Sequence, residues 1–232
     1  MELIVNLGDP QKLCDPVNPQ AGNYFKSSWI SGERSAPIVI EETGLVHLVG
    51  VRFKPGGAYP FFRFPLSEFT DQVVATDAVW GGAVELLREQ LAGAREPRLV
   101  FAWLERWLEE RLRVGSPPTP GVTYALTQIQ ARSGEARIGR IVETIGMSHK
   151  QLTREFDRCV GLSPKQFARI CTFQSAIRRI GFAPVVDWAD TAAACGYYDQ
   201  AHFIREFSAF SGLTPAAYLD RRGPFLNYIS VA

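Results

Sequence analysis

The chain has 232 residues, of which 46% are hydrophobic, 12% aromatic and 21% charged, with a net charge of +1. These values are typical of a folded protein of one or two domains and exclude disordered and collagen-like chains. No run approaches the ~18 apolar residues of a membrane span and the start lacks a signal-peptide pattern, so we expect a cytoplasmic protein. The four cysteines form no C-x-x-C pair, and we predict free thiols, no metal and no cofactor.

The first half of the chain contains short runs rich in β-branched and aromatic residues, separated by glycine and proline. The runs ELIVNL, PIVIE, LVHLVGVRF and YPFFRF predict four or five strands. Pro55-Gly56-Gly57 lacks the sequence context of a phosphate-binding loop and predicts a hairpin turn. Two amphipathic helices are predicted at about 82 to 93 and 98 to 113. We expect the apolar stripe of the second to pack on the sheet, with a dimer contact as the alternative; it contains Val100, Trp103, Leu104, Trp107, Leu108 and Leu112.

A proline-rich segment, VGSPPTPG at Val114 to Gly121, predicts the domain boundary, because proline lacks a backbone donor and restricts the residue before it. We therefore predict a β-rich domain with two C-terminal helices at 1–114, a linker at 115–121, a helical domain at 122–222 and a tail at 223–232.

The second half shows helical periodicity almost throughout. One apolar stripe covers Val122 to Ile129 and the next covers Ile138 to Ile145. Ser148 and Gln151 have the spacing of a capping box that opens another helix. Pro164 then begins a long helix to about Ile180, which would span ~25 Å at 1.5 Å per residue. We expect Gly181 and Pro184 to end it.

An internal repeat is found when this half is compared with itself at an offset of 51 residues. Arg154-Glu155-Phe156 recurs as Arg205-Glu206-Phe207, and GLSP at 161–164 recurs as GLTP at 212–215, so six of eleven positions are identical. In each copy a short helix, at 138 to 145 and at about 185 to 195, ends at a glycine and a second helix follows. This is the plan of a helix-turn-helix, in which the second helix enters the DNA major groove.

The outward face of each second helix follows from its apolar face. With Leu152 and Phe156 inward, Lys150 and Arg154 point outward and Thr153 lies at the flank. With Phe203, Phe207 and Phe210 inward, Ala201 and Arg205 point outward with an exposed Ile204 beside them. Arginine can pair with guanine, glutamine with adenine, and an exposed alanine or isoleucine can contact a thymine methyl. Solvated surface charges are the alternative. The candidate DNA-contacting residues are Ser148, His149, Lys150, Thr153, Arg154, Tyr198, Gln200, Ala201, Ile204 and Arg205.

Charge is divided unevenly between the two copies. Residues 145–182 carry seven basic and two acidic groups, net +5, whereas residues 183–232 carry three and five, net −2. A basic concentration indicates a polyanionic partner, although a solvated helix surface would have the same composition.

The segments GMSHKQLTREFDRCVGLSPKQFARI and GYYDQAHFIREFSAFSGLTPAAYL, joined by a helix containing FQSA, resemble the DNA-binding domain of AraC-family transcription regulators. The resemblance covers about 121 to 222. It implies two helix-turn-helix units joined by a linker helix, with promoter or operator DNA as partner and a cytoplasmic, nucleoid-associated location. RNA polymerase, a second copy of the chain and a small-molecule effector are further candidate partners; no membrane is expected.

The first half, through GVRFKPGGAYPFF, PLSEFTDQVV and Trp80-Gly81, resembles a cupin-like regulatory domain of an AraC subgroup whose members carry further residues ahead of this segment. Four or five strands are too few to close a barrel, which needs about eight, so we expect an incomplete domain with an open edge near residues 2 to 7. Residues 1 to 114 alone are then predicted to dimerise or aggregate.

The overall prediction is an α+β chain: a small β-rich, cupin-like domain followed by an all-α domain with two helix-turn-helix units. We predict a sequence-specific transcription regulator and no enzyme, since His47 is the only histidine before residue 149 and no catalytic set is placed by spacing. The alternatives are a small cupin-like enzyme and a protein-binding module whose helical domain does not bind DNA.

Overall fold

The computed structural model describes residues 1–15, 18, 20–112, 116–182 and 186–229, with the side chain of residue 182 excluded. The predicted α+β architecture is confirmed: strands fill the first part of the chain and helices the second. The chain divides into two compact units. The N-terminal unit contains residues 1–34, 38–119 and 155–161, and the C-terminal unit contains residues 35–37, 120–154 and 162–232. The predicted domain boundary at Val114 and the predicted break at Pro184 lie outside the described residues.

The N-terminal unit has two antiparallel sheets. A four-stranded sheet has the order β6-β1-β4-β7, and a three-stranded sheet has the order β3-β2-β5. The strands are β1 (Glu2–Asn6), β2 (Gln11–Cys14), β3 (Gly22–Phe25), β4 (Ser28–Ser31), β5 (Ile40–Glu42), β6 (Leu48–Arg52) and β7 (Val73–Ala75). The expected count of four or five strands is wrong, because seven lie in the described residues. The missed strands, such as QKLC and GNYF, are short and polar. They are defined by pairing with neighbouring strands and not by the strand propensity of their own residues.

Strand β1 lies inside its sheet. Leu3 pairs with Ile30 of β4 on one side and with Val51 of β6 on the other. The side chains of Leu3 and Val5 alternate onto the buried face and are fully buried. The expectation of an open edge near residues 2 to 7 is therefore wrong; the edges of this sheet are β6 and β7.

The segment YPFFRF does not form a strand. Tyr59–Phe61 is a turn of 3₁₀ helix, and a second such turn lies at Leu66–Phe69. Pro60 cannot donate to a strand ladder, which favours the helical turn. The turn at Pro55-Gly56-Gly57 is real, with the Gly57 N–H donating to the Lys54 carbonyl at 2.7 Å, but it leads into this 3₁₀ turn and so is not a hairpin.

Three helices follow in the N-terminal unit: α1 (Asp77–Trp80), α2 (Ala83–Ala92) and α3 (Pro97–Leu112). The predicted bounds of α2 and the predicted start of α3 are confirmed within a residue, whereas the predicted end of α3 at residue 113 lies outside the described residues. The α3 stripe packs into the same core cluster as Leu3, Val5 and Ile30 of the sheet, with Leu104 and Trp107 buried. Leu112, at the end of the expected stripe, is 47% exposed and lies outside that core.

The C-terminal unit is helical. Its helices are α4 (Pro120–Ala131), α5 (Ile138–Ile145), α6 (His149–Cys159), α7 (Pro164–Phe182), α8 (Trp188–Ala194), α9 (Gln200–Ser211) and α10 (Pro215–Arg221), and α6 has residues in both units. Helix α4 begins at Pro120, inside the predicted linker, since proline fits the first turn of a helix. The domain limits otherwise stay predictions.

The sequence predicted that α7 ends before Gly181, but the helix includes Gly181 and Phe182. A Cβ at Gly181 would lie 2.5 Å from a methyl carbon of Leu226. This glycine therefore permits a close approach between two segments and does not terminate the helix.

No helix in the described part of the chain is long and apolar enough to cross a bilayer. Within the same residues, no three His, Cys, Asp or Glu side chains form a group that could hold a metal ion. None of the four cysteines forms a disulfide; Cys159 and Cys195 are buried, and burial raises the pKa of both thiols.

Candidate nucleic-acid interface

The turn between α5 and α6 has the geometry of a helix-turn-helix. Gly146 adopts the left-handed conformation with φ 66°, and the next residue, Met147, donates its N–H back to the Val142 carbonyl at 3.1 Å. The capping box is confirmed: the Ser148 N–H donates to Gln151 Oε1 at 2.9 Å, and the Gln151 N–H donates to Ser148 Oγ at 3.2 Å. Local chemistry therefore fixes where α6 starts and which way it leaves the turn. We call α5, this turn and α6 the first motif.

Helix α6 separates a buried face from an exposed face. Leu152, Phe156 and Cys159 have no exposed surface, as the sequence predicted. Because residues one helical turn apart share a face, the opposite side is left to solvent. Among the candidates, the exposed ones in this motif are Ser148, His149, Lys150, Thr153 and Arg154. All five predicted residues thus lie on the surface of the N-terminal half of one helix or at its cap.

The second motif, α8 with its following turn and α9, reaches a similar geometry with different residues. Gly196 follows α8 with φ 81°. Asp199 caps α9 by accepting the His202 N–H at 2.6 Å, and the Tyr198 N–H donates to His202 Nδ1 at 3.4 Å. The cap is a single aspartate without the reciprocal bond of a capping box.

Helix α9 buries Phe203 and Phe207 completely and leaves most of the candidates on its surface. Tyr198, at the turn, is 93% exposed, and the other exposed candidates are Gln200, Ala201 and Arg205.

The expectation that the Ile204 side chain is exposed is wrong. It is half-buried and packs against the core cluster around Phe203 and Phe207, because that core extends to the flank of α9. Phe210, predicted inward, is also half-buried and stacks on Phe173 with ring centroids 5.1 Å apart.

Part of the basic segment is neutralised within the protein. Arg158 pairs with Glu155 at 2.6 Å, Arg169 with Glu206 at 2.7 Å, and Arg179 with Asp190 at 2.7 Å. Lys150, Lys165 and Arg178 make no ion pair with any residue in the described ranges. The positive charge that can face a polyanion is therefore smaller than the sequence total of +5.

Sequence reasoning missed the contact between Arg169 and Glu206. Arg169 Nε and Nη2 donate to the two Glu206 carboxylate oxygens at 2.7 and 2.9 Å, which ties α9 to α7. These hydrogen bonds lower the pKa of Glu206 below its ordinary range. The repeat marks Glu206 as the counterpart of Glu155, but no sequence pattern pairs it with a residue 37 positions away.

Comparison with known families was consistent with this geometry. Residues 141–221 match the profile of a helix-turn-helix domain, and residues 1–75 match the profile of a domain of unknown function, DUF6597. No curated protein sequence matches the chain significantly.

Solved structures of ToxT from Vibrio cholerae are similar to this chain. An apo variant of ToxT aligns over 94% of this chain and 88% of its own at 11% identity and a TM-score of 0.48. The fatty-acid-bound wild type covers 94% and 86% at 10% identity and a TM-score of 0.48. A complex with a methylnaphthalenyl butenoic acid covers 94% and 89% at 12% identity and a TM-score of 0.44.

Proposed function

We propose that this chain, a DNA-binding transcription regulator with an AraC-type helix-turn-helix domain at residues 141–221, reads two successive major-groove segments with α6 and α9. The observation that carries the proposal is that both motifs bury one face of their second helix and expose the predicted contact residues on the other. Two such helices on one linker helix fit an asymmetric site of two segments about one DNA turn, ~34 Å, apart.

The exposed side chains suggest separate roles. We propose that Arg154 and Arg205 read guanine, that Gln200 reads adenine and that Ala201 contacts a thymine methyl. Lys150, near the N-terminal end of α6, suits a phosphate contact. Ser148, His149, Thr153 and Tyr198 complete the proposed surface. Ile204 is left out because its side chain packs against the core.

The N-terminal unit is proposed to regulate DNA binding, by sensing a small-molecule effector or by dimerisation, and to have no catalytic role. Exposed apolar side chains on its helices support self-association, with Leu86 of α2 66% exposed and Phe101 of α3 62% exposed. RNA polymerase is the further partner expected of a promoter-bound regulator, on chromosomal DNA.

Selection of bound sequences from a random duplex pool with the full chain tests the proposal. We expect enrichment of one asymmetric site with two preferred blocks about one turn apart. The double variant Lys150→Ala/Arg154→Ala should lose enrichment of one block, whereas the control Arg95→Ala, in the N-terminal unit, should keep both. A pool with no enriched sequence, or equal enrichment by the double variant, contradicts the proposal.

A further inference from the structure

A cavity of about 510 Å³ lies within the C-terminal unit. Its walls are the turn between α4 and α5, one face of α7, and the segment from Gly196 into α9. This volume falls in the range of ~300–1,000 Å³ typical of small-molecule sites. The polar lining that matters here is Lys165 and Arg169 of α7, Tyr197 before α9, and His202 and Glu206 of α9.

Two glycines hold the cavity walls together and leave that part of its lining bare. A Cβ at Gly196 would lie 2.6 Å from the Gly134 carbonyl oxygen, and a Cβ at Gly134 would lie 2.0 Å from the Cys195 carbonyl oxygen. Both glycines have positive φ, 87° at Gly134 and 81° at Gly196. Neither position can accept a side chain, so the cavity is built into the contact between the two turns.

The hydroxyl of Tyr197 is a donor without a partner. The residue is 8% exposed, and its hydroxyl oxygen has no hydrogen bond to any described residue. Its ring is held edge-on by His202 and Phe203, with centroids 5.4 and 5.3 Å away. Burial raises the pKa of Tyr197, so the hydroxyl keeps its proton at neutral pH. Since a buried donor left unpaired is costly, an acceptor is expected at this point.

The charges of the lining favour an anion. Glu206, the acidic residue of the lining, already accepts hydrogen bonds from Nε and Nη2 of Arg169. Lys165 is exposed and makes no ion pair with a residue in the described part of the chain. The remaining charge is therefore positive, while Ala136, Ile138 and Ala168 supply apolar surface.

We propose that this cavity binds a small organic acid, whose carboxylate pairs with Lys165 and whose apolar body packs against the alanines and Ile138. The Tyr197 hydroxyl has almost no accessible surface in this structure, so it pairs with an acceptor of the acid once its ring shifts toward the cavity. His202 and Glu206 belong to α9, so the occupant touches the second recognition helix directly. Binding of the acid is expected to change how α9 reads DNA. This effect on DNA rests on the proposed function, whereas binding of the acid itself does not.

Calorimetric titration of the full chain tests the site without DNA. The probes are benzoate and hexanoate, with benzamide and hexanamide as uncharged isosteres. We expect one acid to bind and its amide to bind at least about 10-fold more weakly. Lys165→Met and Tyr197→Phe should each weaken binding roughly 10-fold, and Ala168→Leu should block it. The matched controls Lys54→Met and Tyr124→Phe, which lie outside the cavity, should bind as the unaltered chain does.

Thermal unfolding keeps the test independent of folding defects. Because the Tyr197 hydroxyl is unpaired, Tyr197→Phe without a probe should unfold at the same temperature as the unaltered chain or higher. The proposal is overturned if neither acid binds, if acid and amide bind equally, or if binding is unchanged by Lys165→Met.

DNA phosphate is the competing occupant. If Lys165→Met lowers affinity for random-sequence duplex and reduces the salt slope by ~1 while no acid binds, Lys165 faces the DNA backbone and the proposal is wrong. Failure of DNA binding with intact acid binding would instead refute the proposed function alone.

Discussion

The two helix-turn-helix motifs share the sequence Arg-Glu-Phe in their second helices, but the glutamate has a different partner in each. Glu155 pairs with Arg158 three residues later in α6, whereas Glu206 pairs with Arg169 of α7. The position 51 residues after Arg158 is Ala209, so α9 has no cation where α6 has one. The same repeat position therefore stabilises its own helix in the first motif and ties the recognition helix to the linker helix in the second.

The exposed surfaces of the two motifs also differ in charge. The first exposes two cations, Lys150 and Arg154, within a net-positive segment. The second exposes one cation, Arg205, beside Tyr198, Gln200 and Ala201 within a segment of net charge −2. Phosphate neutralisation dominates sequence-independent affinity, while base-edge contacts give specificity. The comparison suggests that the first motif supplies most of the attraction to DNA and the second mainly selects sequence.

The largest expected effect compares how much the buried core of each motif contributes to the free energy of unfolding. Phe156→Ala and Phe207→Ala replace equivalent, fully buried residues, and each should lower the free energy of unfolding by about 3–5 kcal/mol. Phe207 contacts the rings of Phe173 and Tyr218 at 5.2 and 5.5 Å, which places it at the upper end. Denaturant unfolding of the full chain measures both. The exposed control Leu45→Ala should change stability by less than about 0.5 kcal/mol.

The next prediction distinguishes contacts with base edges from contacts with phosphates. Arg154→Ala and Arg205→Ala should each cost about 1–3 kcal/mol on the selected site and relax preference at one base pair if the arginine reads a base. If Arg154 touches only phosphate, affinity should instead fall equally on all sequences. Gel-shift titrations on the selected site and on random duplex measure the two losses. If Arg154→Ala and Lys150→Ala both bind DNA with unchanged affinity, the proposal that the exposed face of α6 contacts DNA is wrong.

Salt dependence gives a smaller but direct contrast. The half-site protected by the first motif should lose protection at lower salt than the other, and Lys150→Ala should reduce the salt slope by ~1. Footprinting at increasing salt concentrations tests this. Stronger and more salt-sensitive protection by the second motif would reverse the assignment of roles.

The smallest expected effect concerns the two glutamates. Because the pKa of Glu206 is lowered, its pairing stabilises the fold above the ordinary glutamate pKa and is lost as pH falls through the lowered value. The side chains of Arg169 and Glu206 are 44% and 22% exposed, so Glu206→Gln should cost only about 0.5–1 kcal/mol at neutral pH. Glu155→Gln should cost about 0.2–0.5 kcal/mol.

Urea unfolding at neutral pH and at about pH 3 measures this pair. The difference between Glu206→Gln and the unaltered chain should shrink as the pH is lowered, because the stabilisation is lost as the folded-state carboxylate takes up its proton. A cost that persists in acid would show that Glu206 acts through packing and not through its charge.

Local rules predicted the helical half well. Gly146 and the Ser148–Gln151 capping box act over a few residues, so their geometry follows from the sequence alone. The same holds for the inward positions of Leu152 and Phe156, which one helical period defines. The β-rich half was predicted less well, because strands such as Ser28–Ser31 exist only through pairing with partners distant in sequence.

The sequence by itself determined the repeat, the turns and the buried faces of α6 and α9, because these depend on short-range chemistry with a fixed period. Only the tertiary structure decided that β1 is an interior strand, that Ile204 packs against the core and that Arg169 meets Glu206. It also decided that Gly134 approaches Gly196 and that the Tyr197 hydroxyl is left unpaired beside a cavity. Each of these depends on residues brought together from separate elements, and packing between elements has no period that a single sequence reveals.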